Sequence, residues 1–416
     1  MARSVISVSK NRVQKLFNIL PATTLVNFFF VNFILLFNFV APLQTMPRRT
    51  RIVLVVLAAF TSLSFCARAQ PPRTITVTGY FFGKAADVDS IAADKLTHII
   101  FSFCHLNGNV LKVDNAEDAT TITALVGLKK RNPSLKVLLS LGGWGGCETC
   151  SDVFSTAKGR KDFAASVLQL NQFFKTDGID IDWEYPVVEG FPGHKFSAAD
   201  KQNFTDLIIE LRNALGKQYE VTFAAGGFQK FLEDAVDWKA VAPVVDRINL
   251  MTYDLVNGYS QTTGHHTPLF SNASQRESTD NAVKYLIKIG VPANKLVIGA
   301  AMYGRMWEGV SATQNGLHQS GKFKQGLDYN KFDRELTASQ GWKTYWDDVA
   351  KAPYAYNAQK QLFITYDDSR SMTLKTQYAI DQKLSGIMYW EIMNDKYVGG
   401  LLDAIDRTRK SHHPKP

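Results

Sequence analysis

The sequence predicts an α/β protein: a (β/α)8 TIM barrel with a small α+β insertion domain after its seventh strand. Three observations carry this expectation. Eight short apolar runs, at 76–81, 96–103, 136–141, 178–183, 221–225, 247–252, 296–302 and 386–390, alternate with stretches of helical character. The chain from Gln70 onward has 347 residues, enough for one such barrel with an addition. More than sixty residues, rich in Trp, Tyr, Gly and Asp, separate the seventh run from a helix expected near Ser371, which is longer than an ordinary loop. An open doubly wound sheet is disfavoured, because no Gly-x-Gly-x-x-Gly follows the first run.

Taken in order, the first 69 residues stand apart. They hold eight basic residues (Arg3, Lys10, Arg12, Lys15, Arg48, Arg49, Arg51, Arg68) and no Asp or Glu. Met46 opens Met-Pro-Arg-Arg-Thr-Arg, an apolar run follows over 52–59, and Ala67-Arg68-Ala69 closes the segment. A positive start, a short apolar core and a small-x-small site form a secretory signal peptide over 46–69, cleaved before Gln70. Residues 1–45 then read as an upstream extension, and its apolar stretch at 28–40 is interrupted by Asn32 and Asn38. A lipoprotein reading at Cys66 is disfavoured by the bulky Phe65 beside it. The expected location is secreted, extracellular or periplasmic, without stable membrane association after cleavage.

The composition, 45% apolar, 20% charged and 12% aromatic, is globular and excludes a disordered or fibrous chain. The formal charge of +9 does not point to nucleic acid. Eight of the 47 Lys and Arg residues lie in the leader, so 39 basic residues face 38 acidic ones in the remainder. Three cysteines follow the leader. Cys147-Glu148-Thr149-Cys150 reads as a short-loop disulfide formed after export, since no second Cys or His pair stands at zinc-ligand spacing. Cys104 ends an apolar run and reads as a buried free thiol.

The expected domains are a catalytic barrel over 70–305 and 369–411, the insertion over 306–368, and a tail over 412–416. Among the intervening helices, Phe204, Leu207, Ile208, Leu211 and Leu215 share one face at spacings of three and four. His265-His266, in a polar loop with no third ligand evident, reads as a solvated or rim pair, and no metal or cofactor is expected. Asn203 and Asn272 head two Asn-x-Ser/Thr patterns.

The most informative passage is Asp177-Gly178-Ile179-Asp180-Ile181-Asp182-Trp183-Glu184-Tyr185-Pro186. In a strand, residues two apart point the same way, so Asp180, Asp182 and Glu184 share one face and Ile179, Ile181 and Trp183 the other. In a closed barrel the apolar set meets the helices and the acidic set enters the interior. Three anions a few ångströms apart in a low dielectric are costly, so protons are retained among them and the row is poised for acid catalysis. Glu184, last in the row, lies nearest the C-terminal mouth where substrates meet this fold.

The segment Asp177 to Glu184 resembles the Asp-x-x-Asp-x-Asp-x-Glu pattern of family 18 glycoside hydrolases, the chitinase family. Ser140-Leu141-Gly142-Gly143-Trp144, Met251-Thr252-Tyr253-Asp254 and Met388-Tyr389-Trp390 resemble the family's segments on the third, sixth and last strands, and the insertion opened by Tyr303-Gly304-Arg305 resembles its insertion domain. The resemblance implies a secreted chitinase, a monomer acting on chitin or chitooligosaccharides. It implies retention through an oxazolinium intermediate formed by the substrate's own acetamido group. Glu184 would be the acid and then the base, Asp182 would hold the acetamido N–H, Asp180 would share a proton with Asp182, and Tyr253 would bond the acetamido oxygen. Tyr80, Phe103, Trp144, Met251, Asp254, Tyr303, Arg305, Met388 and Trp390 would contact sugar, while Asp177 would shape the turn into the strand. Two alternatives stand beside this: an endo-β-N-acetylglucosaminidase acting on glycoprotein or cell-wall glycans, and a chitin-binding lectin without activity. The lectin is disfavoured because such relatives lack the acid that this chain keeps.

Overall fold

The computed structural model describes residues 75–412. The leader, with its signal-peptide and lipoprotein readings, and residues 413–416 of the tail lie outside the described residues.

Fourteen strands follow one another among the described residues: β1 (Thr76–Phe81), β2 (His98–Asn107), β3 (Val110–Lys112), β4 (Lys136–Gly142), β5 (Gly178–Asp182), β6 (Glu220–Gly226), β7 (Arg247–Met251), β8 (Leu296–Ala301), β9 (Tyr303–Glu308), β10 (Lys322–Asp328), β11 (Trp342–Asp347), β12 (Ala352–Asn357), β13 (Leu362–Thr365) and β14 (Gly386–Trp390). Eight of them pair in parallel in the order β1-β14-β8-β7-β6-β5-β4-β2, and β2 pairs back with β1, so the sheet closes into a (β/α)8 barrel. These eight are the runs expected from the sequence, most of them moved by one or two residues at an end. The short β3 forms a hairpin with the extended end of β2, which has no counterpart in the eight runs.

Strand parity divides the side chains as the alternation demands. Ile179, Ile181, Val221, Phe223, Ile248, Leu250, Leu296 and Ile298 belong to the large outer core shared with the helices. The helix Asp200–Leu215 buries Phe204, Leu207, Ile208, Leu211 and Leu215, the face expected from its spacing. Its Phe204 ring lies 5.1 Å from Phe223 and 6.4 Å from Trp183. The opposite parity fills a smaller interior core of Tyr80, Ile100, Leu138, Ala224, Met251, Val297 and Met388. Near the N-terminal end of the barrel, Glu220 accepts from Arg247 and lies 3.2 Å from His98.

A five-stranded antiparallel sheet, ordered β10-β9-β13-β12-β11, occupies the chain between β8 and β14. It has cores of its own, one around Met306, Trp342 and Ile364, the other around Trp307, Tyr354 and Phe363. Its first strand starts at Tyr303 and continues almost directly from β8, so this sheet is anchored beside the C-terminal ends of the barrel strands. Cys147 and Cys150 form a disulfide, and Cys104 is a buried free thiol.

Candidate active site

Strand β5 carries Asp180 and Asp182 into the barrel interior, with Glu184 just past its end. Asp180 is fully buried, and neutral donors from four other strands converge on it. The Tyr80 hydroxyl donates to Oδ2 at 3.0 Å and the Ser140 hydroxyl to the same oxygen at 3.3 Å. The Thr222 hydroxyl donates to Oδ1 at 2.5 Å and the Asn249 amide to Oδ1 at 3.0 Å. Burial pushes the Asp180 carboxyl above its usual range, and these four bonds hold it back. The sequence did not single out Ser140, Thr222 or Asn249 as partners. The available signal was polar residues at interior parity inside otherwise apolar strands.

Asp182 has no such shell: it is buried, and its Oδ1 has no hydrogen-bond partner. Burial first, then the negative charges of Glu184 and Asp180, raise its carboxyl well above the usual range. Both oxygens of Asp180 are taken by neutral donors, and the unpartnered oxygen belongs to Asp182. Glu184 is half-buried, and desolvation raises it to about 7, with the Tyr185 hydroxyl opposing and the Asp254 charge adding to the rise. The row thus contains an acid near neutrality beside a buried carboxyl group with an open oxygen.

The loop after β4 is shaped by close approach. Gly142 and Gly143 have φ of 110° and 80°, a region that favours glycine. A Cβ on Gly142 would lie 2.2 Å from the Asp182 carbonyl oxygen, and one on Gly143 would lie 2.4 Å from the Phe103 ring. The Gly143 N–H donates to that same carbonyl at 2.9 Å, which fixes the backbone of β5 between Asp182 and Glu184. At the other end of the strand, Asp177 accepts from the Val137 N–H at 2.7 Å and pairs with Lys129 at 2.6 Å. It shapes the entry to β5, far along the strand from Glu184.

Other expected site residues divide into open and closed positions. Trp144 is 48% exposed, and its ring lies 5.6 Å from Phe191 and 6.4 Å from Tyr259. Trp390 stacks on Phe103 at 5.6 Å with a 14° interplanar angle, and the exposed Phe82 lies 6.2 Å from it. Tyr80 is 1% exposed and is engaged with Asp180, so it supports the row from within the barrel and offers no open face for a sugar. Met388 and Met251 are likewise buried in the interior core. The Tyr253 hydroxyl points to the Met388 sulfur at 4.0 Å, and its ring meets Tyr303 edge-on at 6.4 Å.

Asp254 accepts from Arg305 through both guanidinium arms, the Nε contact being 2.8 Å. Burial alone would raise this carboxyl, but Arg305, bonded through both arms, holds it well below the usual range, and the His266 Nδ1 3.5 Å away acts in the same direction without a made bond. His265 and His266 are both fully buried, which corrects the solvated reading of this pair. Folding of the insertion sheet accounts for it: His265 Nε2 meets Asp347 of β11 at 3.0 Å, and the His266 N–H meets the Thr365 hydroxyl of β13 at 3.3 Å. Glu391, which the sequence reading also passed over, is buried behind Trp390, accepts from the Phe82 and Met393 N–H groups, and is raised to about 7 by burial.

Comparison with known proteins places this geometry. The family model "Glycosyl hydrolases family 18" matches residues 76–395. The chain belongs to this family. Across 329 residues this family 18 chain is 35% identical to Chitinase A1 of Niallia circulans, which covers 70% of this chain and 47% of that protein. It is 30% identical over 398 residues to Chitinase B of Serratia marcescens, covering 77% of this chain and 78% of that protein. A solved family 18 N-acetylglucosaminidase from Paenibacillus barengoltzii superimposes with a TM-score of 0.74 at 35% identity, over 80% of this chain and 99% of that one. The chain thus spans less than half the length of Chitinase A1 but nearly all of the Paenibacillus enzyme's structure.

Proposed function

We propose that this family 18 protein is a chitinase that hydrolyses β-1,4-linked N-acetylglucosamine polymers with retention, by substrate-assisted catalysis. One observation carries the reading: Glu184, raised to about 7, stands next to a buried Asp182 whose Oδ1 has no protein partner. A group with that proton affinity holds a proton at neutral pH and is matched to protonating a leaving oxygen. The open Asp182 oxygen is placed to accept an acetamido N–H and to stabilise the positive charge of an oxazolinium ion. Tyr253 would orient the acetamido oxygen for attack on the anomeric carbon. Glu184, now a carboxylate, would then take a proton from the water that opens the oxazolinium. Asp180, held by its four donors, would share a proton with Asp182 and tune both. Trp390 would underlie the sugar ring, with Phe103 stacked against it, and Trp144, Tyr303, Asp254 and Arg305 would contact the substrate from the mouth.

A second reading, an N-acetylglucosaminidase that releases single sugars, is supported by the 35% identity to the solved Paenibacillus N-acetylglucosaminidase. We place the protein outside the cytoplasm. The signal-peptide pattern supports that location, and so does the Cys147–Cys150 disulfide, since such bonds persist in oxidising compartments. The deciding experiment is digestion of a chitin hexasaccharide by wild type and Glu184→Gln, with early products resolved by length and anomer. β-Anomeric shorter oligomers that vanish in the variant support the reading. Release of single sugars alone favours the second reading, binding without cleavage by the wild type favours the lectin, and cleavage that persists in the variant removes Glu184 from its role.

A further inference from the structure

His266 is a buried polar group that the proposed chemistry does not use. The residue is 0% exposed, and neither ring nitrogen has a hydrogen-bond partner. An unmade bond at a buried imidazole costs free energy unless something uses the group. Its Nδ1 lies 3.5 Å from Oδ1 of Asp254, outside hydrogen-bond geometry but a few tenths of an ångström from it.

Oδ1 is also the oxygen to which Arg305 Nε donates at 2.8 Å. Asp254 therefore stands between two donors, one engaged and one held just out of reach. Arg305 comes from the more exposed side: its side chain is partly exposed, and its guanidinium lies 5.2 Å from the Tyr303 ring and 5.6 Å from the Phe323 ring. His266 comes from the buried side, locked by its own backbone. Its carbonyl accepts from the Leu255 N–H at 3.0 Å, and its N–H bonds Thr365. The other groups facing the ring are Tyr303, at 5.3 Å between centroids, and the negative Asp367, itself paired with Lys375 at 2.7 Å. Burial keeps the imidazole neutral, so one ring nitrogen carries a proton and the other does not.

We propose that His266 is the positioning residue of Asp254, a reserve donor that takes up Oδ1 when a sugar hydroxyl or acetamido group opens the Arg305–Asp254 pair. This rests on the reading above, in which Asp254 and Arg305 contact the substrate. A bound sugar that draws Arg305 away would leave Oδ1 of this half-buried carboxylate without its protein donor. A small movement of Asp254 towards Nδ1 replaces the lost bond and keeps the carboxylate beside Tyr253. The orphaned nitrogen of the free protein is then the trace of a bond made only in the complex.

The test compares His266→Phe, which keeps ring size without a donor, with His266→Asn, which puts an amide N–H near the Nδ1 position. With chitin hexasaccharide, His266→Phe is expected to raise KM by tenfold or more with kcat changed less than threefold, and His266→Asn to stay within about threefold of wild type in both. Equal KM in wild type and His266→Phe overturns the proposal, as does equal damage by both substitutions. Should His266→Phe fail to fold, the second measurement decides. In Glu184→Gln protein with 15N-labelled histidine, assigned with His266→Asn, the Nδ1–H signal of His266 should move on saturation with the oligomer. An Nδ1 without a proton, or a signal that stays in place, overturns it. Wild type that neither binds nor cleaves the oligomer sinks the parent reading and this one together, while a normal wild type with an indifferent His266 sinks only this one.

Discussion

The Tyr80 hydroxyl on β1 donates to Asp180 on β5 at 3.0 Å, across the barrel interior, although the two are 100 positions apart in the chain. The bond ties the centre of the carboxylate row to the opposite wall of the sheet. It also makes Tyr80 a support of the site. Burial first and the charges of Asp180 and Asp182 next raise its hydroxyl well above the usual value, so it remains a donor at every working pH.

Replacing Tyr80 by Phe removes one of the four donors to a buried carboxylate. The expected cost is about 1–3 kcal/mol of stability, read from denaturant unfolding. Asp180 should gain proton affinity and, through it, the balance between Asp182 and Glu184 should change, so the pH–rate profile should shift as well. An unchanged profile with an unchanged midpoint would show that the bond carries no weight.

The activity should have a basic limb near pH 7. On the proposed mechanism Glu184 gives a proton to the leaving oxygen, and burial raises it to about 7, so the competent fraction falls tenfold per pH unit above that value. The same shift is a statement about stability. A carboxyl raised from about 4.5 to about 7 contributes stability that is fully present below pH 4.5 and is lost as pH rises through 7. Glu184→Gln cannot ionise, so it should melt above wild type at pH 8, and the gap should close by pH 4. Cleavage should fall by 10²–10⁴ in the same variant. A variant that melts below wild type at pH 8 would contradict the assigned burden of charge.

Lys375 and Asp367 form a fully buried ion pair at 2.7 Å, with the ammonium also donating to Thr267 at 2.5 Å. Asp367 accepts in addition from the Ala301 N–H at 3.1 Å, so the pair joins the end of β8 to the loop that follows β7. Lys375→Met leaves the buried carboxylate without its counter-charge, at an expected cost of about 3–5 kcal/mol. Adding Asp367→Asn to it should recover part of that loss. Thermal or denaturant melts of the two variants give the comparison.

Trp144 is half exposed and rests against Phe191 and Tyr259 at the mouth. Trp144→Ala should therefore leave the unfolding midpoint within about 0.5 kcal/mol of wild type. Its loss should appear in binding, as a rise in KM for long oligomers of roughly tenfold, equivalent to about 1.4 kcal/mol. A large stability loss with unchanged KM would make it a packing residue.

Much of this protein was legible along the chain because the signals are local. Strand alternation placed Asp180, Asp182 and Glu184 on one face, and Ile179, Ile181 and Trp183 on the other, from five bonds of backbone geometry alone. The same period located the eight barrel strands, and a spacing of three and four located the buried face of 200–215. The four donors of Asp180 are another matter. They come from β1, β4, β6 and β7, and no rule along the chain says which polar residue of one strand meets which of another. Ring closure and register decide that.

The histidine pair shows why a local reading goes wrong. His265-His266 sits among polar and glycine residues, the composition of a solvated loop, and it is buried because β11 and β13 of a sheet some eighty to a hundred residues later cover it. The Asp254–Arg305 pair and the out-of-reach His266 nitrogen depend on the same docking. The chain by itself therefore determined the elements, the carboxylate row and the glycines that let the backbone pass beside it. Those follow from covalent geometry and side-chain period. Only the tertiary structure decided which carboxylates are satisfied and which are left open, because desolvation and hydrogen-bond partnership are properties of what surrounds a group, and its surroundings come from strands and loops far away in sequence.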